Sequence, residues 1–314
     1  MGLFQNLHRK LAISSLKKNL QALLEKPISE FMSGYVISIQ KNEGVLHTAD
    51  IMVGEKVSCV VVKDNDKPIA VITERDFLKK APLNKKKLEK TKVNKLMSDN
   101  LVTVPPETTI REAIPILVKN NFRKLIIVDD GEMMGMVTQT DFVKLFNKFY
   151  ESIKVKTPEL PCLKEVMTKK VVTVTKKQRL STAKKNMAKK NIGSIIVLDK
   201  KQIAGIITEF DFLLILVQEK DHGNKGKAQD YMHSPVIAVE DSDANVFEAN
   251  KLMLENGVRR LPITKQDQLT GIVTQTDMCR SIFKYLDSLD EKLENDSDLK
   301  WSKLEQKELE KNLI

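Results

Sequence analysis

The sequence predicts an α/β protein made of four tandem β-α-β-β-α units, paired into two modules, with a helical extension at each end. Three observations lead there. The heptapeptide GMVTQTD at 135–141 returns almost unchanged as GIVTQTD at 271–277, and looser copies stand at 70–76 (AVITERD) and 205–211 (GIITEFD), spaced by about 65 residues. Each unit begins with a methionine after a short apolar segment: Met32, Met97, Met167 and Met232. Each heptapeptide closes on a Thr-x-x-Asp: Thr73/Asp76, Thr138/Asp141, Thr208/Asp211 and Thr274/Asp277.

The third unit shows the element order most clearly. VVTV is a short β-branched strand. LSTAKKNMAKKN is a helix with Leu180, Ala183 and Met187 on one stripe. SIIVLD is a buried strand, DKKQIAG a turn, GIIT the next strand, and EFDFLLIL the start of a second amphipathic helix. The other units align with this order, their first strands being VISI, LVTV and VIAV. One unit of about 55 residues is marginal alone, whereas two packed face to face share a core.

The copies alternate. Before the second strand, unit 2 has Arg123-Lys124 and unit 4 has Arg259-Arg260, where unit 1 has Ser58-Cys59 and unit 3 has Gly193-Ser194. A duplicated two-unit module explains this. The first module is expected over 28–150 (units about 28–82 and 93–150) and the second over 157–287 (about 160–218 and 228–287). Pro158 and Pro161 suit an extended connector between them. Unit 1 departs from the others. It has Ala70 in place of Gly135, Gly205 and Gly271, and two glycines in its first-helix region, NEGVLHTADIMVGEK, which weaken helix. Its site is expected to be altered or empty.

Composition narrows the function. Among 314 residues, 41% are apolar and 30% charged, and the longest apolar run, FLLILV at 212–217, is far too short to span a membrane. No secretory signal is present, and Asn6 breaks a myristoylation motif at Gly2. Cys59, Cys162 and Cys279 are scattered, as are the four histidines, so neither a disulfide framework nor a zinc site is expected and a cytoplasmic location is. A net charge of +10 fits either a solvated lysine-rich surface or an anionic partner. No phosphate loop, nucleophile elbow, Cys/His dyad or paired-carboxylate motif argues for an enzyme. With no room for a catalytic domain at either end, a stand-alone regulator acting in trans is expected.

The Thr-x-x-Asp turns admit two readings. The threonine can cap a helix with the aspartate complementing its dipole. Alternatively the carboxylate accepts hydrogen bonds from vicinal hydroxyls such as those of a ribose, while the threonine hydroxyl and the helix start meet an anion. The basic pairs are either surface ion pairs or bidentate phosphate clamps in a cleft between paired units.

The four units resemble CBS domains, the repeat named after cystathionine beta-synthase, over about residues 28–287. In that family two units pair into a Bateman module with two clefts, and two modules form a disc. The four-unit chain is similar in architecture to the gamma subunit of AMP-activated protein kinase. The resemblance implies an adenine nucleotide ligand (AMP, ADP or ATP) rather than a catalytic cofactor. It places the ribose on Asp76, Asp141, Asp211 and Asp277, hydroxyl contacts on Thr73, Thr138, Thr208 and Thr274, and phosphate on Arg123, Lys124, Arg259 and Arg260. The first strands would hold the base, with Thr103 and Thr173 as their polar members. S-adenosylmethionine and dinucleotides are alternative ligands, though a sulfonium has no phosphate to match the basic pairs. A basic-surface nucleic-acid binder and a scaffold with vestigial sites remain alternatives of other classes. A monomer with an intramolecular disc and a homodimer both fit.

The ends carry their own patterns. In 1–27, Leu3, Leu7, Leu11, Leu16, Leu20, Leu23 and Leu24 lie near one helical face edged by Arg9, Lys10, Lys17 and Lys18. Such a helix packs on the first module or lies on a membrane or nucleic acid. The acidic tail 288–314 is rich in helix formers and holds the lone tryptophan, Trp301, a candidate contact residue.

Overall fold

The computed structural model describes residues 14–82, 85–99, 101–120, 122–152, 160–218, 226–240 and 242–294. Leu3, Leu7, Leu11, Pro158 and Trp301, on which expectations were placed above, lie outside them. Helix α1 spans 14–24. Unit 1 comprises β1 (Ser38–Gln40), α2 (Val45–Gly54), β2 (Cys59–Asp64), β3 (Lys67–Thr73) and α3 (Glu74–Lys80). A short helix, α4 (Lys85–Glu89), leads to unit 2: β4 (Thr103–Val104), α5 (Ile110–Lys119), β5 (Lys124–Asp129), β6 (Glu132–Thr138) and α6 (Gln139–Ser152). Unit 3 opens on α7 (Leu163–Val166), followed by β7 (Thr173–Thr175), α8 (Leu180–Lys190), β8 (Ser194–Asp199), β9 (Gln202–Thr208) and α9 (Glu209–Gln218). Unit 4 has α10 (Val246–Glu255), β10 (Arg260–Lys265), β11 (Gln268–Thr274) and α11 (Gln275–Glu294).

In units 1 to 3 the first strand runs parallel to the second, and the second pairs antiparallel with the third. Unit 4 departs from the expected pattern. Its VIAV segment makes only a single parallel bridge, Val239 to Ile263. The cause is Pro262. It stands where Val61 and Ile126 donate their N–H groups to Ile37 and Val102, and proline has no N–H to give. The two glycines of unit 1 also behave differently from expectation. They do not weaken α2, because Gly44 precedes the helix as its cap and Gly54 is its last residue.

The leading methionines belong to their partner units. The segment before β1 pairs with unit 2: the Ile28 N–H donates to the Thr108 carbonyl (2.8 Å), and the Ile110 N–H donates back to the Lys26 carbonyl (3.0 Å). Unit 2 returns the exchange, with the Val93 N–H on the Glu43 carbonyl (2.9 Å) and the Val45 N–H on the Thr91 carbonyl (3.0 Å). Units 3 and 4 repeat it through Leu163–Ala244 and Ala228–Gln178. The residue after each methionine then bridges to the third strand of the partner: Ser33 to Met136, Ser98 to Val71, Thr168 to Ile272 and His233 to Ile206. This explains the glycine of the heptapeptide. A Cβ on Gly135 would lie 2.7 Å from the Met32 sulfur, and one on Gly205 would lie 2.5 Å from that of Met232. Unit 1 has buried Ala70 instead, beside a half-buried Met97.

The two modules stack side by side, unit 1 on unit 3 and unit 2 on unit 4. Leu213 and Leu216 of α9 are buried in the core of unit 1, and Leu78 of α3 in that of unit 3. Across the other pair, the Phe142 and Phe283 rings meet edge-on at 5.9 Å, with Phe31 set 5.3 Å from Phe142. A buried amide pair fixes the register there: Asn250 Nδ2 donates to Asn147 Oδ1 at 2.7 Å. Leu16, Leu20, Leu23 and Leu24 of α1 are buried in the same cluster, so residues 14–24 form a helix packed into the core that units 2 and 4 share.

Phe142 is fully buried where units 2 and 4 meet. Phe142→Ala should therefore cost about 3–5 kcal/mol. Denaturant unfolding measures this, and a loss below about 1 kcal/mol would contradict the packing described.

Candidate functional site

Each Thr-x-x-Asp turn closes a helix start. The Thr73 N–H and Oγ1–H both donate to Asp76 Oδ2, at 2.9 and 2.6 Å, and the Asp76 N–H returns to Thr73 Oγ1 at 3.3 Å. Thr138 on Asp141, Thr208 on Asp211 and Thr274 on Asp277 make the same two donations at 2.6–2.9 Å. The capping reading of these residues is thus correct for Oδ2. Oδ1 takes no part in the cap: in Asp76 it accepts from Ser98 Oγ at 2.6 Å and pairs with Lys80 Nζ at 2.9 Å, and in Asp211 it meets His233 Nε2 at 2.6 Å.

These turns carry the starts of α3, α6, α9 and α11 to one place. A cavity of about 460 Å³ opens there, lined by residues of all four units. The two residues inside each Thr-x-x-Asp line it, apart from Phe210, and they pair across the modules. Thr140 Oγ1 donates to Gln275 Oε1 (2.8 Å) and Thr276 Oγ1 donates to Gln139 Oε1 (2.9 Å). TQTD recurs in units 2 and 4 because the two copies clasp each other. On the other side Arg75 of unit 1 donates through Nε to Glu209 Oε1 of unit 3 at 2.6 Å, an inter-unit salt bridge.

The basic pairs meet in this cavity and not in separate clefts within each module. Arg123, Lys124, Arg259 and Arg260 all line it, together with Arg75. Arg259 Nη2 lies 3.4 Å from Glu74 Oε1, and Arg123 Nη1 lies 3.6 Å from Glu209 Oε2. Arg260 reaches the surface of unit 3 over Gly193, where any Cβ would collide with its guanidinium. The glycine of unit 3's small pair therefore leaves room for Arg260 of unit 4. Burial pushes the Arg260 guanidinium down to about 10, with Arg259 beside it adding to the effect, so it stays cationic at neutral pH. Burial and the neighbouring Arg75 lower Arg123 too, while Glu209 opposes them. With Lys79 and Lys80, seven cations thus face three carboxylates, Glu74, Asp76 and Glu209, of which Glu209 is 1% exposed and keeps Oε2 without a hydrogen bond.

Of the residues singled out in the sequence, Thr73, Asp76, Arg123, Lys124, Thr138, Arg259, Arg260 and Thr274 border the central cavity. Asp141 borders a second, more open cavity of about 540 Å³ between α6 and α10. Thr208, Asp211 and Asp277 border neither, Thr103 is exposed on β4, and Thr173 is half-buried on β7. Sequence reasoning missed Glu74, Glu209, Gln139 and Gln275. Their signal was present: the variable positions inside the motif alternate with the same parity as the basic pairs.

Burial raises the Glu74 carboxyl above its ordinary value of 4.5; Arg259 pulls it down and Glu209 pushes it up. The stability this group contributes is full below its unfolded value and is lost as pH rises through the folded one. Glu74→Gln removes that loss. Between about pH 4 and about pH 7 the variant should lose less stability than the wild type in denaturant titrations, and an equal loss would refute the burial effect.

The comparisons with known proteins agree with this architecture. The CBS domain family matches four times, at residues 28–82, 93–148, 163–218 and 228–284. Protein MJ1225 of Methanocaldococcus jannaschii is 26% identical over 208 residues, which is 63% of this chain and 72% of that protein. Protein MJ1404 of the same organism is 25% identical over 280 residues, 84% of this chain and 63% of that protein. The crystal structure of MJ1225, described as a candidate archaeal homologue of the AMP-activated protein kinase gamma subunit, superposes with a TM-score of 0.71 at 19% identity. It covers 81% of this chain and 99% of its own. A conserved protein from Pyrococcus horikoshii superposes with a TM-score of 0.54 at 17% identity, over 82% of this chain and 99% of its own. No helix among the described residues is long and apolar enough to cross a membrane. With four matched repeats filling most of its length and paired leader for leader, the chain belongs to the CBS domain family.

Proposed function

We propose that the chain is a cytoplasmic regulatory sensor of adenine nucleotides, holding a nucleoside against a Thr-x-x-Asp turn and its phosphate among the guanidiniums of the central cavity. One observation carries this: seven cationic side chains and four helix starts converge on one cavity lined by only three carboxylates. An anion there relieves the repulsion among Arg75, Arg123, Arg259 and Arg260. Phosphate suits the planar donor forks of arginine, which favours AMP, ADP or ATP over S-adenosylmethionine. Because residues of both modules line the cavity, its ligand state bears on how the modules pack, and a protein partner in trans would read that packing.

A second reading has its own support. Unit 3, over 160–218, carries twelve Lys or Arg against four Asp or Glu. That face would attract a nucleic acid, with affinity falling steeply as salt rises and no dependence on the central arginines.

Thermal unfolding with AMP, ADP, ATP, NAD and S-adenosylmethionine separates these readings. A ligand at about 100 times its dissociation constant adds roughly 2.7 kcal/mol. A phosphorylated adenine ligand should raise the unfolding temperature, and Arg259→Ala should weaken its binding about 10- to 100-fold. A shift by none of them would reject the sensor reading.

A further inference from the structure

The units differ at the residue that follows the motif threonine. It is Glu74 in unit 1 and Glu209 in unit 3, but Gln139 in unit 2 and Gln275 in unit 4. All four are buried and line the central cavity. The glutamines are neutral and fixed. Gln139 Oε1 accepts from Thr276 at 2.9 Å, its Nε2 donates to the Phe122 carbonyl at 3.0 Å, and Gln275 Oε1 accepts from Thr140 at 2.8 Å. An uncharged amide therefore suffices at this position, and the caps themselves are made by the threonine and the aspartate. The odd units nonetheless bury a carboxylate there.

A buried carboxylate is costly without a partner, and these two find theirs among the arginines of the cavity. One contact is tight: Arg75 Nε on Glu209 Oε1 at 2.6 Å. Two are loose. Arg259 Nη2 stands 3.4 Å from Glu74 Oε1, and Arg123 Nη1 stands 3.6 Å from Glu209 Oε2. A direct charge-assisted hydrogen bond is shorter, about 2.7–2.9 Å. Among the described residues, Glu209 Oε2 has no hydrogen-bond partner. Accessibility divides the same way. The Arg123 and Arg259 side chains are 43% and 41% exposed, whereas those of Glu209 and Glu74 are 1% and 6%. The open arginines are thus weakly held by carboxylates that are themselves shut away.

Building on the nucleotide-sensing reading, we propose that Glu74 and Glu209 set the affinity and charge selectivity of the central cavity: they hold Arg259 and Arg123 in place of a phosphate, and a ligand's phosphate takes those arginines from them. Arg75 stays on Glu209, so that carboxylate keeps one tight partner through the exchange. Glu74 keeps the charges of Arg260 and Lys124 near it. Burial already raises its carboxyl and Glu209 adds to this, so it takes up a proton more readily once Arg259 has left. Every incoming anion is weighed against a resident one. The exchange also reaches across the molecule. Arg259–Glu74 ties unit 4 to unit 1 and Arg123–Glu209 ties unit 2 to unit 3, so a bound phosphate loosens two diagonal ties between the modules.

Glu74→Gln and Glu209→Gln introduce the side chain that units 2 and 4 already carry at the equivalent position, and thermal unfolding without ligand checks that each variant is folded. Calorimetric titration of the full chain uses ATP, AMP, adenosine and inorganic triphosphate. Each variant should bind ATP and triphosphate about 10-fold more tightly than the wild type, AMP by a smaller factor, and adenosine no differently. In an Arg259→Ala chain, Glu74→Gln should lose most of this gain, because the arginine it frees is gone. Unchanged or weaker triphosphate binding, an equal gain for adenosine, or the full gain in the Arg259→Ala chain would overturn the proposal. If no nucleotide binds the wild type or the variants while triphosphate still gains, the sensor reading falls and the resident anions stand.

Discussion

Four helices of this protein begin at the same point. Their N-terminal N–H groups carry partial positive charge, and the chain sets seven cationic side chains around them. Like charges so close in a half-buried space repel strongly, so the centre dictates what its surroundings must be. Glu74 and Glu209 are the internal answer. Each comes from an odd unit and reaches arginines of other units, so the two carboxylates tie the modules together across the centre. The alternation of small and basic pairs follows from the same constraint. Arg260 occupies the space over Gly193, and a Cβ there would force its guanidinium to move.

Much of the fold was legible in the sequence, because repetition multiplied weak signals. A single VVTV or SIIVLD says little, but four copies in register fixed the element order. The departures came where one residue overrides a pattern. Pro262 looks at home in an apolar strand, yet its missing N–H costs unit 4 its first strand. Gly44 and Gly54 lie in a helix-like segment, but their meaning depends on falling at its ends.

The candidate site was legible in its parts and not in its assembly. The basic pairs were visible as a parity, but sequence gave no means to see that both pairs enter one cavity shared by the modules. Nor could it show which atoms of Asp76 and Asp211 are engaged. Ser98 and His233 lie 22 residues beyond the aspartates they meet, in the following unit, and Ser33 and Thr168 look equally suited to that contact. The difference is one of side-chain direction, set by packing.

The exchange of leading segments also bears on how the chain comes to be folded during synthesis. Unit 2 finds its missing segment, around Ile28, already made. Unit 1 does not: the Val93 and Ser98 contacts that complete it come from residues made after its last helix has emerged. Unit 3 waits in the same way for Ala228 and His233. During synthesis each odd unit is therefore completed only once the opening residues of the following even unit have appeared. Until then the third strand of each odd unit has a bare edge, and the glycine or alanine in it has no methionine over it.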